Sequence, residues 1–272
     1  MKYMLITNDP DVASVAERAG VARIFVDLEK LGKQERQGHL DTHMSSHSPH
    51  DVARIRKVLT SAELLVRLNP LHAGTESEVE GALHSGADIL MLPMFHSPEE
   101  VSKFVSIVNR RAKTIPLVET YAAAQSLQDL VSIKGVDEIY IGLNDLHLDM
   151  GMRFMFEPLA NGYIDSLVAT IKQAGLPFGF GGIARYGEGV VPGEMVLAEH
   201  MRLGSASVIL SRTFHRKGEL FANGDANREL EIELKKLISA EKELANHDKQ
   251  QFEISMKAFR ERVHSFLSEH AK

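Results

Sequence analysis

Cysteine is absent from the 272-residue chain, which excludes disulfides and thiolate chemistry and leaves His, Asp and Glu as the side chains able to hold a metal. Tryptophan is also absent, a lack that decides nothing. There is no excess of positive charge. Against 31 Lys and Arg stand 37 Asp and Glu, a formal charge of -6, so no general basic field exists to draw in nucleic acid or acidic lipid. Nor does any apolar run approach the ~18 residues a membrane helix needs; the apolar start MKYMLI meets polar residues and Pro10 at once. These lacks predict a soluble, unexported, cytoplasmic protein with no nucleic-acid or membrane partner. What is present, 44% hydrophobic and 25% charged residues, is enough to bury one sizeable core.

Over the first 215 or so residues, short aliphatic and β-branched runs alternate with longer runs of helical period, the pattern of parallel βαβ units. The expected strands are 3–7, 23–29, 64–69, 88–94, 115–120, 138–144, 177–182 and 207–214. Most are apolar throughout, as strands buried on both faces are. Between them lie amphipathic runs such as 97–112, where Ser97 is placed to cap and Glu100 to complete a capping box, and 163–175, ending at Gly175. Eight such repeats fit a (β/α)8 barrel, a TIM barrel in the α/β class, better than an open doubly wound sheet. From about residue 216 the chain turns charged and helical, with apolar positions three to four apart. Two helices are expected there. The first closes the barrel, giving a catalytic domain over 1–246. The second, 247–272, is surplus and must bury its apolar stripe on its own barrel or on a partner in a homo-oligomer, with 248–270 as the contact.

Barrels of this kind carry chemistry where the strands end, so polar strand ends mark the candidate site. Strand 2 ends in Asp27 and Glu29, strand 3 in Arg67 and Asn69, strand 5 in Glu119, and strand 6 in Asn144 and Asp145. A lone buried charge is costly, so each of these needs a partner, water or an ion. Glu119 and Asp145, on adjacent strands, are expected to share one Mg2+ or Mn2+, hard ions that favour oxygen and keep positions open for a substrate. Arg67 offers a planar donor fork for a carboxylate or an enolate oxygen. The competing reading is that it only forms a salt bridge with an acidic strand end.

The segments VDLE (26–29), VRLNP (66–70), GADILMLPM (86–94), VET (118–120) and GVDEIYIGLNDLHLDMG (135–151) resemble, in this order, the HpcH/HpaI aldolase and citrate lyase β-subunit superfamily. The likeness covers roughly residues 3–150. VET followed by Gly142, Asp145, Leu146 and the DMG turn is its most specific part. It implies a metal-dependent barrel that makes or breaks a C–C bond beside an enolate of pyruvate or acetyl-CoA. Glu119 then matches the first metal ligand, Asp145 the second and Arg67 the substrate-binding arginine. Backbone amides near Asn144 and Asp145 are expected to hold the substrate carboxylate.

Pyruvate aldolases of this superfamily place an acid/base His after strand 2, whereas the citrate lyase-like branch carries a DLED-type motif. Here Asp27-Leu28-Glu29-Lys30 keeps the first two acids, candidates for the catalytic work, but has Lys30 in place of the last. A polar stretch, 30–50, follows with His39, His43, His47 and His50, and loops of that length are often functional. A lid over the mouth is expected, with one histidine as a candidate base. His39, His43 and His47 recur every four residues, a spacing that suits Zn2+ on a helix, but Gly38, Ser45, Ser46 and Pro49 argue against a helix.

After strand 7 comes the glycine-rich stretch 179–194, and strand 8 leads into Ser211-Arg212. Rims of this kind bind phosphate through backbone N–H groups, so Arg185 and Arg212 are candidates for binding a phosphorylated or otherwise anionic substrate tail. Relief of crowding where helix meets strand explains the glycines equally well. The expected function is a divalent-metal-dependent aldolase or carbon–carbon lyase acting on a 2-oxo acid. Its alternatives are an acyl-CoA lyase of the citryl- or malyl-CoA type and a non-catalytic barrel that binds an anionic ligand.

Overall fold

The computed structural model describes residues 1–32, 47–214 and 225–270. Every expected strand forms, and the eight close into a parallel barrel in sequential order. They are β1 (Lys2–Ile6), β2 (Arg23–Asp27), β3 (Glu63–Arg67), β4 (Ile89–Leu92), β5 (Lys113–Val118), β6 (Ile139–Ile141), β7 (Phe178–Ile183) and β8 (Ser207–Leu210). Most strands stop earlier than their apolar runs suggested. Glu29, Asn69, Glu119, Asn144 and Asp145 all lie beyond the ladder, where the chain turns out of the sheet. The last expected strand likewise ends at Leu210, and Arg212–Phe214 is a 3-10 turn. A fully buried ladder cannot hold a charged side chain cheaply, so the strands end where the mouth begins.

The helices between the strands are α1 (Pro10–Ala19), α2 (Pro49–Arg56), α3 (Thr75–His84), α4 (Pro98–Val108), α5 (Tyr121–Gln125), α6 (Leu127–Leu130), α7 (Leu143–Asp149), α8 (Glu157–Ala160), α9 (Tyr163–Gln173) and α10 (Gly193–Leu203). Their starts obey local chemistry. Asp9 caps α1 by accepting from the N–H groups of Asp11 and Val12, with Pro10 at the first helical position. Ser97 does sit at the N-cap of α4, but its side chain makes no capping bond. Glu100 accepts instead from the N–H of His96, at 3.4 Å. Ser48 with Asp51 and Asp248 with Gln251 form the capping boxes.

Two apolar layers hold the barrel. Met4, Phe25, Leu65, Met91, Leu117 and Tyr140 fill its interior, and a larger cluster joins the sheet to the surrounding helices. Gly179 on β7 makes room for this filling, because a Cβ there would stand 2.4 Å from the Tyr140 ring. The Tyr140 hydroxyl donates to the Gly181 carbonyl at 2.7 Å and accepts from the N–H of Ile209 at 3.0 Å. At the opposite end from the mouth, a buried ion network closes the floor. Arg23 binds both oxygens of Glu138, at 2.9 and 2.7 Å, and Glu63 at 3.0 Å.

The charged tail forms α11 (Asp225–Leu244) and α12 (Lys249–Glu269). As expected, the first completes the ring. It packs on α1 and α10, and its Glu241 accepts from the N-terminal amine at 2.5 Å and from the Tyr3 hydroxyl at 2.8 Å. The surplus helix, α12, packs on its own barrel. It lies on α10 and α8 with Phe259 and Val263 fully buried, and the Phe259 ring meets Phe156 edge-on at 5.9 Å. Among the described residues no helix is long and apolar enough to cross a membrane.

Candidate active site

Parallel register sets Asp27 of β2 directly beside Arg67 of β3. The Arg67 guanidinium donates through Nε and Nη2 to the two Asp27 oxygens, both at 2.9 Å, and its Nη2 lies 3.3 Å from Glu29 Oε2. Phe25 supports it from below, with the ring centroid 5.7 Å from Cζ. The salt bridge weighed as an alternative for Arg67 therefore exists. It leaves further guanidinium N–H donors for another group. Burial opposes the Arg67 charge, but Asp27 and Glu29 outweigh it and hold the group protonated. The bridge is folded back on itself by the Glu29 N–H, which donates to Asp27 Oδ1 at 3.2 Å.

Across the mouth, Glu119 follows β5 and is 2% exposed. Two backbone features set its carboxylate. The N–H of Met94 donates to Oε1 at 3.1 Å, and Met94 holds a left-handed backbone, φ 50°, which a non-glycine residue adopts only at some cost. On the other side Gly142 gives way completely: a Cβ there would lie 2.8 Å from both the Cβ and Oε2 of Glu119. Burial pushes the Glu119 carboxyl well above its ordinary range, and nearby Asp145 and Glu29 add to this against the opposing pull of Arg67. Asp145 stands not at a strand end but in the first turn of α7, beside a half-buried Asn144.

This donor set suits a hard divalent cation. A buried carboxyl near a second acid keeps its proton because two negative charges there would repel, and a cation in the proton's place would remove that repulsion. Among the described residues no group of three or more His, Asp or Glu converges on a single metal position. Glu119 and Asp145 are the residues that could hold such an ion, with its other positions open to water or substrate.

Of the four histidines after β2, His39 and His43 lie outside the described residues, and His50 is exposed in the first turn of α2. His47 is different. It is 6% exposed, and its Nδ1 accepts the backbone N–H of Asp27 at 3.0 Å. Its position at the mouth was not singled out from sequence, although a signal existed. Ser48-Pro49-His50-Asp51 is a helix start, and the residue just before a capped helix is anchored as mid-loop residues are not. Lys30 is exposed, and its N–H and that of Leu31 donate to Asn69 Oδ1 at 2.8 and 2.9 Å. Asn69 therefore holds the loop after β2 rather than joining the carboxylates.

The rim after β7 and β8 separates its two arginines. Arg212 is exposed. Arg185 is 2% exposed, ion-paired with Glu229 of α11 and stacked over Phe214 at 5.9 Å, with Nε and Nη2 lacking a hydrogen-bond partner among the described residues. A recess of about 400 Å3 opens beside the end of β1, lined by Asn8, Asp9, Pro10, Asp11 and Arg54. A larger cavity of about 570 Å3, lined by Glu63, Asp88, Lys113 and Asp137 among others, lies at the barrel floor, away from these groups.

Comparison with known proteins bears on the family and the fold. The model of the HpcH/HpaI aldolase/citrate lyase family matches residues 5–174. A hydroxypyruvate/pyruvate aldolase of Agrobacterium fabrum is 27% identical over 165 residues, 47% of this chain and 61% of that one, so less than two thirds of that relative is matched. A 4-hydroxy-4-methyl-2-oxoglutarate aldolase of Chaetomium globosum is 24% identical over 216 residues, 67% of this chain and 75% of the other. Among solved structures, CitE of Mycobacterium tuberculosis in complex with magnesium, acetoacetate and coenzyme A superposes with a TM-score of 0.58 at 15% identity, covering 98% of this chain and 87% of that one.

Proposed function

The chain belongs to the HpcH/HpaI aldolase/citrate lyase family, and from that premise we propose that it is a divalent-metal-dependent carbon–carbon lyase acting on a 4-hydroxy-2-oxo acid. The observation that carries this reading is the buried Glu119 carboxyl near Asp145, facing a mouth that also holds Arg67 with its partners Asp27 and Glu29. Glu119 and Asp145 would hold Mg2+ or Mn2+, which supplies Lewis-acid polarisation of the 2-oxo group when bound. The names of two relatives, a pyruvate aldolase and an oxoglutarate aldolase, support the substrate class.

The reaction then follows from this chain's own groups. The bond between C3 and C4 breaks, and its electron pair becomes the C2–C3 double bond of an enolate. The Arg67 guanidinium, held in plane by Asp27, stabilises the negative oxygen. The C4 hydroxyl proton goes to a carboxylate of the Asp27–Glu29 pair while C4 leaves as a carbonyl. The same acid then gives its proton to C3 of the enolate, which restores the carboxylate and releases pyruvate or its homologue. His47, whose Nδ1 accepts the Asp27 N–H, stands beside this pair at the end of β2. Asn144 would orient the substrate carboxylate and the exposed Arg212 an anionic tail, whereas Arg185, buried and paired with Glu229, is turned away from that role. Cytoplasmic location and homo-oligomeric assembly belong to the same reading.

Pyruvate release is the test, measured with and without chelator and in Glu119→Ala. Loss of activity in both is expected, with recovery when Mg2+ or Mn2+ is restored to the native chain. Full activity after either treatment overturns the proposal. The acyl-CoA branch is favoured by the paired acids Asp27 and Glu29 and disfavoured by exposed Lys30. Thioester cleavage in the same assay would decide for it.

A further inference from the structure

We propose that Asn69 and Glu78 are positioning residues for Glu29. They build a rung of side chains where the β2–β3 ladder ends, and so fix the backbone from which the Glu29 carboxylate reaches Arg67. Only the kinetic part of the test rests on the lyase reading.

In a parallel ladder the bonds recur at every second residue. Asp27 pairs with Arg67, and the N–H of Leu28 donates to the Arg67 carbonyl at 2.9 Å. A further rung would join the N–H of Lys30 to the carbonyl of Asn69, and the N–H of Asn69 to the carbonyl of Leu28. Side chains stand in for both acceptors. The N–H groups of Lys30 and Leu31 donate to Asn69 Oδ1, at 2.8 and 2.9 Å, and the N–H of Asn69 donates to Glu78 Oε2 at 3.3 Å. Glu78, in the first turn of α3, also accepts from Asn69 Nδ2 at 2.7 Å through Oε1. One carboxylate thus holds Asn69 by main chain and by side chain, and turns the amide so that its oxygen faces the two loop N–H groups.

His72 supports Glu78 as well. Its Nδ1 accepts the N–H of Gly74 at 3.1 Å, so the neutral ring carries its proton on Nε2, which donates to Glu78 Oε1 at 3.0 Å. The effect reaches the backbone of Glu29 directly. Its own N–H donates to Asp27 Oδ1 at 3.2 Å, and the peptide it shares with Lys30 is the one that donates to Asn69 Oδ1. With both flanking peptide planes held, the two soft dihedrals of Glu29 are set. The direction of its buried side chain follows, with Oε2 at 3.3 Å from Arg67 Nη2. Lys30 and Leu31 are exposed, so water could satisfy their N–H groups as well as Asn69 does; the rung contributes orientation.

Glu78→Gln is the informative variant, because it keeps the size of the side chain but offers one acceptor oxygen where two are used. Amide hydrogen exchange is followed by NMR on the full chain, labelled with 2H and 15N. In the native protein the amides of Lys30 and Leu31 are expected to exchange slowly despite their exposure. Leu28 is the reference, since its bond to the Arg67 carbonyl involves neither side chain. Asn69→Ala and Glu78→Gln are expected to speed exchange at Lys30 and Leu31 about tenfold or more, and to leave Leu28 within about twofold. Native protection of Lys30 in both variants overturns the proposal. So does a loss at Leu28 as large as that at Lys30, which would mark general fraying of the sheet. In pyruvate release each variant is expected to lower kcat about tenfold with KM changed less than about twofold, and to have no further effect on top of Glu29→Gln. An equal loss of kcat with and without Glu29 overturns the positioning role. If no substrate is cleaved by the native chain, the lyase reading fails, and exchange at Lys30 alone still decides the rung.

Discussion

Gly142→Ala places one methyl group against the carboxylate on which the site depends. The added Cβ would lie 2.8 Å from Glu119 Cβ and Oε2, and 3.2 Å from Leu117 Cδ1. Non-bonded carbon atoms settle at about 3.5–4.0 Å, so a gap of roughly 1 Å must be opened. Gly142 has φ -85°, a value open to any residue, so backbone strain plays no part. The Leu117 end can swing a little, but Glu119 Cβ is fixed to a strand end and the side chain is 2% exposed. Overpacking of this kind costs about 1–3 kcal/mol, which lowers the Tm of a domain this size by several degrees. A 1 Å displacement of a reacting or binding group costs about a hundredfold. We therefore expect Mn2+ affinity, read by isothermal titration, to fall at least tenfold, and kcat/KM for pyruvate release to fall about a hundredfold. Gly182→Ala is the control, since its Cβ would meet only the Ile209 carbonyl at 3.5 Å, an ordinary contact. Native Mn2+ affinity and native Tm in Gly142→Ala would refute both the assignment of Glu119 and the packing argument behind it.

Two further perturbations probe the scaffold. His200 is fully buried, stacked on Phe180 at 3.8 Å, and burial pushes its imidazole down to about 3. The unfolded chain takes up this proton near pH ~6.5, so the contribution of His200 is complete above that pH and is lost as pH falls toward 3, at about 1.4 kcal/mol per unit. Urea unfolding between pH 6.5 and 4 should show a shallower pH slope in His200→Gln, and an unchanged slope would count against the burial argument. Phe259→Ala empties the seat of α12 on its own barrel and should cost about 3–5 kcal/mol in denaturant unfolding. A change below about 0.5 kcal/mol would show that α12 is not held there.

The barrel was legible because eight buried parallel strands need eight uninterrupted apolar runs, and runs such as 88–94 and 115–120 have no other simple use. The exact ends were not. Asp145 reads as a strand end because ILE-type residues run up to it, yet the chain has already entered α7. The acids and Arg67 were visible as polar residues in apolar company, a one-dimensional signal. Gly142 was visible only as part of a motif. Its packing role, giving Glu119 space, depends on β5 and β6 lying in register, with Val118 beside Ile141. His47 was one of four equivalent histidines until Asp27 and α2 were placed around it.

Order along the chain is enough to specify βα repeats, the residues that can carry charge at a mouth, and the lack of any thiol, because these follow from composition and local period. Which charges meet is a different matter. That Arg67 turns to Asp27, that Arg185 is spent on Glu229, and that α12 covers its own barrel instead of reaching away from it are outcomes of closure. They bring together residues far apart in sequence, and the free energy of such a contact depends on burial and geometry that no single segment contains.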